Sequence, residues 1–213
     1  MPLNENLRIL ITNTSLAHPA GSELFVRDIA IELLNQGHTP IVYSPRLGKV
    51  AEEIRRASIP VIDDLNLMSV KPDIIHGHHN LETMTALMRF EDVPAIFFCH
   101  GLLPWEEFPP RHPRIIRYIA VSEATRDRLL YEGGIPESKI SIFSNFVNLE
   151  KFKPRSLRLP PTPKQALIFS NYATENNYIG IIREACHSHN IQLDVIGHEI
   201  GRASCRERVW RYV

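Results

Sequence analysis

The sequence predicts an α/β protein: an open parallel sheet wrapped by helices, followed by the start of a second, incomplete α/β domain. Three observations carry this. The apolar run at residues 7–11 empties into a polar loop at 12–23, and from Ser22 the residues Phe25, Val26, Ile29, Ala30, Leu33 and Leu34 recur at helical spacing. Gly37 supplies a left-handed stop and residues 39–44 read as a second strand, which makes the opening stretch a βαβ crossover. Further short apolar runs then alternate with helical patterns along the chain.

Each later element follows from the same patterning. Residues 50–57 read as a short helix and 59–62 as a third strand. Residues 73–76 follow Pro72 as a fourth strand, and Asn80 is placed to cap a helix running to Arg89. The run at 94–99 lacks alternation, as expected of a strand covered on both faces. Pro104, Pro109, Pro110 and Pro113 rule out a regular element between His100 and Arg114, leaving a long loop. Residues 117–121 form the next strand, Ser122 caps a helix with Glu123 in its first turn, Gly133 and Gly134 end it, and 140–143 close the sheet.

From 145 to 164 the composition shifts to proline and basic residues, a linker pattern. A strand at 165–170, a helix at 179–189 and a strand at 191–197 then open a second βαβ unit that a chain ending at Val213 does not complete. The expected organisation is a first domain at 1–150, a linker at 151–164, a truncated second domain at 165–198 and a non-native tail at 199–213. The tail is set apart because residues 200–209 match, codon for codon, a one-frame translation of a widely used sequencing-library adapter, which outweighs the alternative of a basic helix covering the sheet. On this reading the natural frame is cut near His198.

Twenty-four basic and 24 acidic side chains give a formal charge of zero, so net charge indicates neither a nucleic-acid partner nor an anionic membrane. Local basic patches leave a peripheral membrane contact open. Cys99, Cys186 and Cys205 show no paired or C-x-x-C spacing and no signal peptide precedes the first strand, which predicts a reducing, cytoplasmic location. The longest apolar runs are strand-sized, too short to span a bilayer.

In open parallel sheets ligands lie beyond the carboxyl ends of the strands, so the loop at 12–23 is the first place to look for function. It carries no G-x-G-x-x-G, and Gly48-Lys49 lacks the upstream glycine of a P-loop because Tyr43 stands there. Gly21-Ser22-Glu23 remains, at a helix start whose free N–H groups and dipole suit a phosphate, or else form an ordinary cap. His76, His78 and His79 follow the fourth strand, and alternation puts His76 and His78 on one side. A zinc site would need a further ligand that no spacing supplies, so polar lining of a cleft is the expected role and no metal is expected. His100 follows the fifth strand beside Gly101, a residue that lets another group approach closely. A histidine there donates to an anionic or hydroxyl group, acts as a base, or merely bonds the next loop. Trp105 and Phe108 either contact a sugar ring or pin the loop, and Arg126 and Arg128 read as a solvated helix face.

Pro19-Ala20-Gly21-Ser22-Glu23 with the helix ending at His38, Pro72-Asp73-Ile74-Ile75-His76-Gly77-His78 and Phe98-Cys99-His100-Gly101 stand in a telling order. They are followed by Ile119-Ala120-Val121-Ser122-Glu123-Ala124 and Ile142-Phe143-Ser144-Asn145-Phe146-Val147-Asn148. As a set, from Leu7 to His198, they resemble the family 4-like glycosyltransferases of the GT-B fold, specifically their N-terminal, acceptor-side domain. The resemblance implies two Rossmann-like domains facing across a cleft. It also implies transfer of a sugar from a nucleotide-diphosphate donor to an acceptor hydroxyl, with no metal or other cofactor. It places Gly21 and Ser22 near the donor diphosphate, His100 near the transferred sugar as the catalytic residue, and His76, His78 and Glu23 on the acceptor side.

Two departures qualify it. The family usually has Asn-Gly-Val-Asp where this chain has Asn145-Phe146-Val147-Asn148. Its second domain opens with a strand, Gly-Arg and a lysine whose charges hold the diphosphate, whereas residues 170–177 here carry no cation, and the later carboxylate motif that grips the nucleotide is missing. The chain as it stands is therefore expected to be a truncated, inactive form of a glycosyltransferase. The alternative is a non-catalytic sugar- or nucleotide-binding module on the same fold; a sugar-nucleotide epimerase fits the linker and the Ser122 helix less well.

Overall fold

The computed structural model describes residues 6–150, 152–154, 158, 160–169 and 177–196; the predicted tail and residues 170–176 of the cation-free segment lie outside these. The chain divides into two compact units, Met1–Phe146 and Val147–Val213. In the first, seven strands, β1 (Arg8–Thr12), β2 (Thr39–Tyr43), β3 (Val61–Ile62), β4 (Ile74–His78), β5 (Ala95–Cys99), β6 (Ile115–Ala120) and β7 (Ile140–Ile142), alternate with α1 (Gly21–Asn35), α2 (Lys49–Arg56), α3 (Asn80–Arg89) and α4 (Glu123–Asp127). All neighbours are parallel, in the order β3-β2-β1-β4-β5-β6-β7. The chain runs outward from β1 to β3, returns to place β4 beside β1, and then runs outward the other way. The loops leaving β1 and β4 therefore diverge, and that switch point is where sheets of this kind receive ligands.

Alternation along β1 explains the unbroken apolar run. Leu10 packs into one core with Ile75, Leu87 and Phe97, while Ile9 and Ile11 face the other with Val26, Ala30, Val50 and Ile54. Because Ile75 shares the Leu10 face, His76 and His78 point to the opposite face, on the side of α1. This Rossmann-like α/β architecture is the predicted one. In the second unit β8 (Gln165–Phe169) pairs in parallel with β9 (Gln192–Ile196), connected through α5 (Asn177–Ser188).

Local differences from expectation have physical causes. Strand β4 extends two residues past the expected end at His76, so His78 also lies within it rather than after it. The N-cap of α3 is His79, at φ 63°, and Asn80 is the first helical residue. Within the proline-broken loop, Trp105–Glu107 close one 3-10 turn. The Ser122 side chain does cap α4, accepting from the Thr125 N–H at 3.2 Å, and Gly37 adopts φ 88° after α1.

Gly77 carries a packing role that its neighbours in sequence do not announce. A Cβ there would lie 2.6 Å from Thr83 Cγ2, and Thr83 is pinned by the 2.6 Å bond from its hydroxyl to the His79 carbonyl. Gly77→Ala is expected to force β4 and α3 apart at a cost of about 1–3 kcal/mol. The check is a lowered urea midpoint at unchanged m-value; an unmoved midpoint would show that the contact relaxes without cost. At Gly101 a Cβ would meet nothing nearer than Pro104 Cδ at 3.6 Å, so the protein itself makes no close approach there.

Candidate functional site

Strand register brings three imidazoles together at the carboxyl end of the sheet. His78 pairs with Phe98 across β4 and β5, and His100 lies two residues beyond Phe98. His78 Nδ1 is 2.7 Å from His100 Nε2 with the two ring planes within 12° and the rings edge to edge, and His78 Nε2 is 3.4 Å from His76 Nδ1. Phe25 of α1 lies over the group, its ring centroid 4.9 Å from that of His100 and 5.6 Å from that of His78, and Phe98 packs alongside. His78 is fully buried and His76 nearly so, while His100 is partly exposed. Burial disfavours the charged form, so the His76 pKa falls to about 3, that of His100 to about 4, and that of His78 well below its usual value. All three are neutral at physiological pH.

The expected cleft lining by His76 and His78 takes a different form. Both rings lie beneath the aromatic cover, and His78 stands behind His100 with both nitrogens spent on its neighbours. Among the described residues no group of three His, Cys, Asp or Glu side chains is arranged to hold a metal ion.

A second network, not anticipated from sequence, fixes the loop that carries His100. Glu107, buried at the end of the 3-10 turn, accepts the His100 backbone N–H at 2.7 Å and stands 3.5 Å from His79 Nε2. Burial would raise its carboxyl, but these two hydrogen bonds outweigh it and hold the group below its usual range. His79 Nδ1 accepts the Thr14 N–H at 3.2 Å, which leaves the ring proton on Nε2, facing Glu107. The Thr14 hydroxyl donates to Glu82 at 2.7 Å, so the loops after β1, β4 and β5 are tied to one another.

Arg128 is a correction to the solvated face. It is buried in a π-helical turn, Arg128–Glu132, and donates to the carbonyls of Gly101 at 2.8 Å and Pro104 at 3.4 Å. Arg128 stands three residues after the buried Thr125 and next to the buried Leu129, so helical winding turns it toward the protein, away from the face that carries Arg126. Arg126 ion-pairs with Asp127 and Glu137. Cys99, buried and beside Glu107, has its thiol pushed up to about 12 and is no nucleophile. Trp105 is exposed and gives its carbonyl to Asn80 Nδ2 at 3.0 Å, and Phe108 is partly exposed.

Gly21, Ser22 and Glu23 form the first turn of α1. The N-cap, Ala20, offers no side-chain acceptor, Gly21 has open space where a Cβ would be, and the Ser22 hydroxyl donates to Glu23 at 3.1 Å. Phe25, four residues after Gly21, touches His100, which sets the amino end of α1 one helical turn from the imidazole group. Wide surface depressions occur elsewhere, for example around Asn6, Leu7, Arg8, Thr39 and Asp73 at the amino ends of the strands.

The sequence pattern of Glycosyltransferase Family 4 matches residues 19–151, more than half of the chain, from the start of α1 past the end of β7. The chain belongs to glycosyltransferase family 4. Solved structures agree on the GT-B fold. A glycosyltransferase from Rickettsia africae ESF-5 superposes with a TM-score of 0.68 at 18% identity, covering 97% of this chain and 64% of that one. A lipopolysaccharide outer core galactosyltransferase in its apo form gives 0.60 at 12% identity, covering 96% and 71%. A putative UDP-N-acetylglucosamine 2-epimerase from Listeria monocytogenes gives 0.52 at 13% identity, covering 97% and 66%. The family 4 chain thus spans about two thirds of the length of these structures. No curated protein sequence matches it.

Proposed function

We propose that this chain supplies the acceptor-side domain of an enzyme that moves a sugar from a nucleotide-diphosphate donor to an acceptor hydroxyl. The observation that carries the reading is the packing of Phe25, one turn into the uncapped α1, against the neutral His100 imidazole at the end of β5, beside the switch point between β1 and β4. Gly21 and Ser22 would give backbone N–H groups and the helix dipole to the diphosphate, whose charge grows as the sugar leaves. His100 would hold a hydroxyl of the transferred sugar, an exchange that suits a neutral ring with one donor and one acceptor. Glu23, beside Ser22, and the exposed Trp105 would meet the acceptor. The free, buried thiols of Cys99 and Cys186 support a reducing, cytoplasmic setting, and no helix among the described residues is long and apolar enough to cross a membrane.

The lack of any cation at residues 170–177 favours one other reading, a binding module that keeps the fold without the donor clamp. Nucleotide-sugar titration with product analysis separates them, using both this chain and a version extended to the length of its structural relatives. Donor binding with transfer to a hydroxyl acceptor in the extended protein supports the enzyme. Donor or acceptor binding with no turnover supports the module, and the absence of any binding contradicts both. This chain alone is expected to turn over slowly if at all.

A further inference from the structure

We propose that His76, His78 and His100 form one tautomeric unit, in which His78 is the positioning residue that sets the proton state His100 presents to a ligand. The unit itself follows from ring geometry; its consequence for transfer rests on the function proposed above. A 2.7 Å separation between ring atoms of His78 and His100 is tolerable when a proton lies between two nitrogens, and too short for a C–H edge. Each neutral imidazole has one N–H and one lone pair, so the three rings are not independent.

With the His78 proton on Nε2, that atom donates to His76 Nδ1, and the His76 proton must be on Nε2. His78 Nδ1 then accepts, so His100 carries its proton on Nε2 and leaves Nδ1 bare. With the His78 proton on Nδ1, His100 Nε2 accepts and His100 carries Nδ1–H, while His78 Nε2 accepts from Nδ1–H of His76. Either all three rings are Nε2–H or all three are Nδ1–H. Any mixture opposes two protons or two lone pairs at a buried or part-buried contact packed against Phe25 and Phe98.

A ligand hydroxyl that donates to His100 Nδ1 selects the first form, and an oxygen that accepts from it selects the second. Passing from the first to the second takes up one proton at His100 Nδ1 and releases one at His76 Nε2, with water as source and sink. His78 makes this choice collective, and His76 registers it two rings away from any ligand.

The test is nitrogen-15 spectroscopy of the histidine-labelled chain at neutral pH, where long-range proton–nitrogen correlations report each ring's tautomer. The expected result is one tautomer shared by all three rings, with a through-hydrogen-bond nitrogen–nitrogen coupling between His78 and His100. Opposite tautomers at His78 and His100, or rings of mixed type with no coupling, overturn the proposal. His78→Asn, which keeps a polar atom near the Nδ1 position, is expected to hold the His100 nitrogen shifts closer to wild type than His78→Phe does; equal shifts in the two variants count against it. The measurement needs no turnover. A shared tautomer in a protein that never transfers sugar would discard the enzyme reading and leave the unit standing, and transfer with mixed tautomers would do the reverse.

Discussion

Replacing His100 with alanine is expected to remove most sugar transfer from an active, extended form of the protein. General acid–base and hydrogen-bonding groups of this type contribute roughly 10²–10⁴-fold, and the loss should appear mainly in kcat because a contact to a sugar hydroxyl strengthens as positive charge develops on the transferred ring. Steady-state kinetics with a nucleotide sugar check this. The folded state should survive the change, since His100 is partly exposed and its backbone N–H keeps its bond to Glu107. Undiminished kcat in a correctly folded variant would remove His100 from the site.

The second large effect is on stability in acid. His76, His78 and His100 all have lowered pKa values in the folded protein, caused first by burial. Below the unfolded value of about 6.5 the unfolded chain binds protons that the folded chain refuses, so unfolding takes up protons and stability falls as pH drops. The loss begins near pH 6.5 and continues until the folded rings charge, at about 4 for His100 and about 3 for His76. For His76 the penalty reaches about 2 kcal/mol by about pH 5, and His78 adds to it in the same direction. Against a typical total of about 5–15 kcal/mol, this places acid unfolding in the mildly acidic range. Thermal melts between neutral and mildly acidic pH check it: a steep fall in Tm, made shallower by His76→Phe, is expected. A Tm that stays level through that range would mean that the rings are open to water.

The fold was legible because the strands of a doubly covered sheet write themselves as unbroken apolar runs, as at 94–99, and the helices between them as 3.6-residue patterns. His76-Gly77-His78 misled for a definite reason. The strand was expected to end at His76, yet between Phe25 and Phe98 the imidazoles behave as buried aromatics with hydrogen bonds of their own, and it runs on to His78. The places of Gly21 and Ser22 in the first turn of a helix and of His100 just past the end of a strand were readable from the sequence. Glu107 could not, because nothing in Trp105-Glu106-Glu107-Phe108 tells which carboxylate turns inward; that is decided by the His100 amide and His79, which lie distant in sequence or behind a turn. Arg128 was hidden for a related reason: its charge reads as solvent-facing, yet it lies three residues after the buried Thr125, and its guanidinium is satisfied by the carbonyls of Gly101 and Pro104, more than 20 residues away in the chain.

On the function proposed above, the carboxyl-end face running from the start of α1 to His100 receives a nucleotide sugar. Titration of the isotope-labelled protein with a panel of nucleoside-diphosphate sugars tests it most directly. Saturable shifts at the Gly21 and Ser22 amides together with the His100 imidazole are predicted; saturable shifts gathered instead around Arg8 and Asp73, at the opposite ends of the strands, would contradict it.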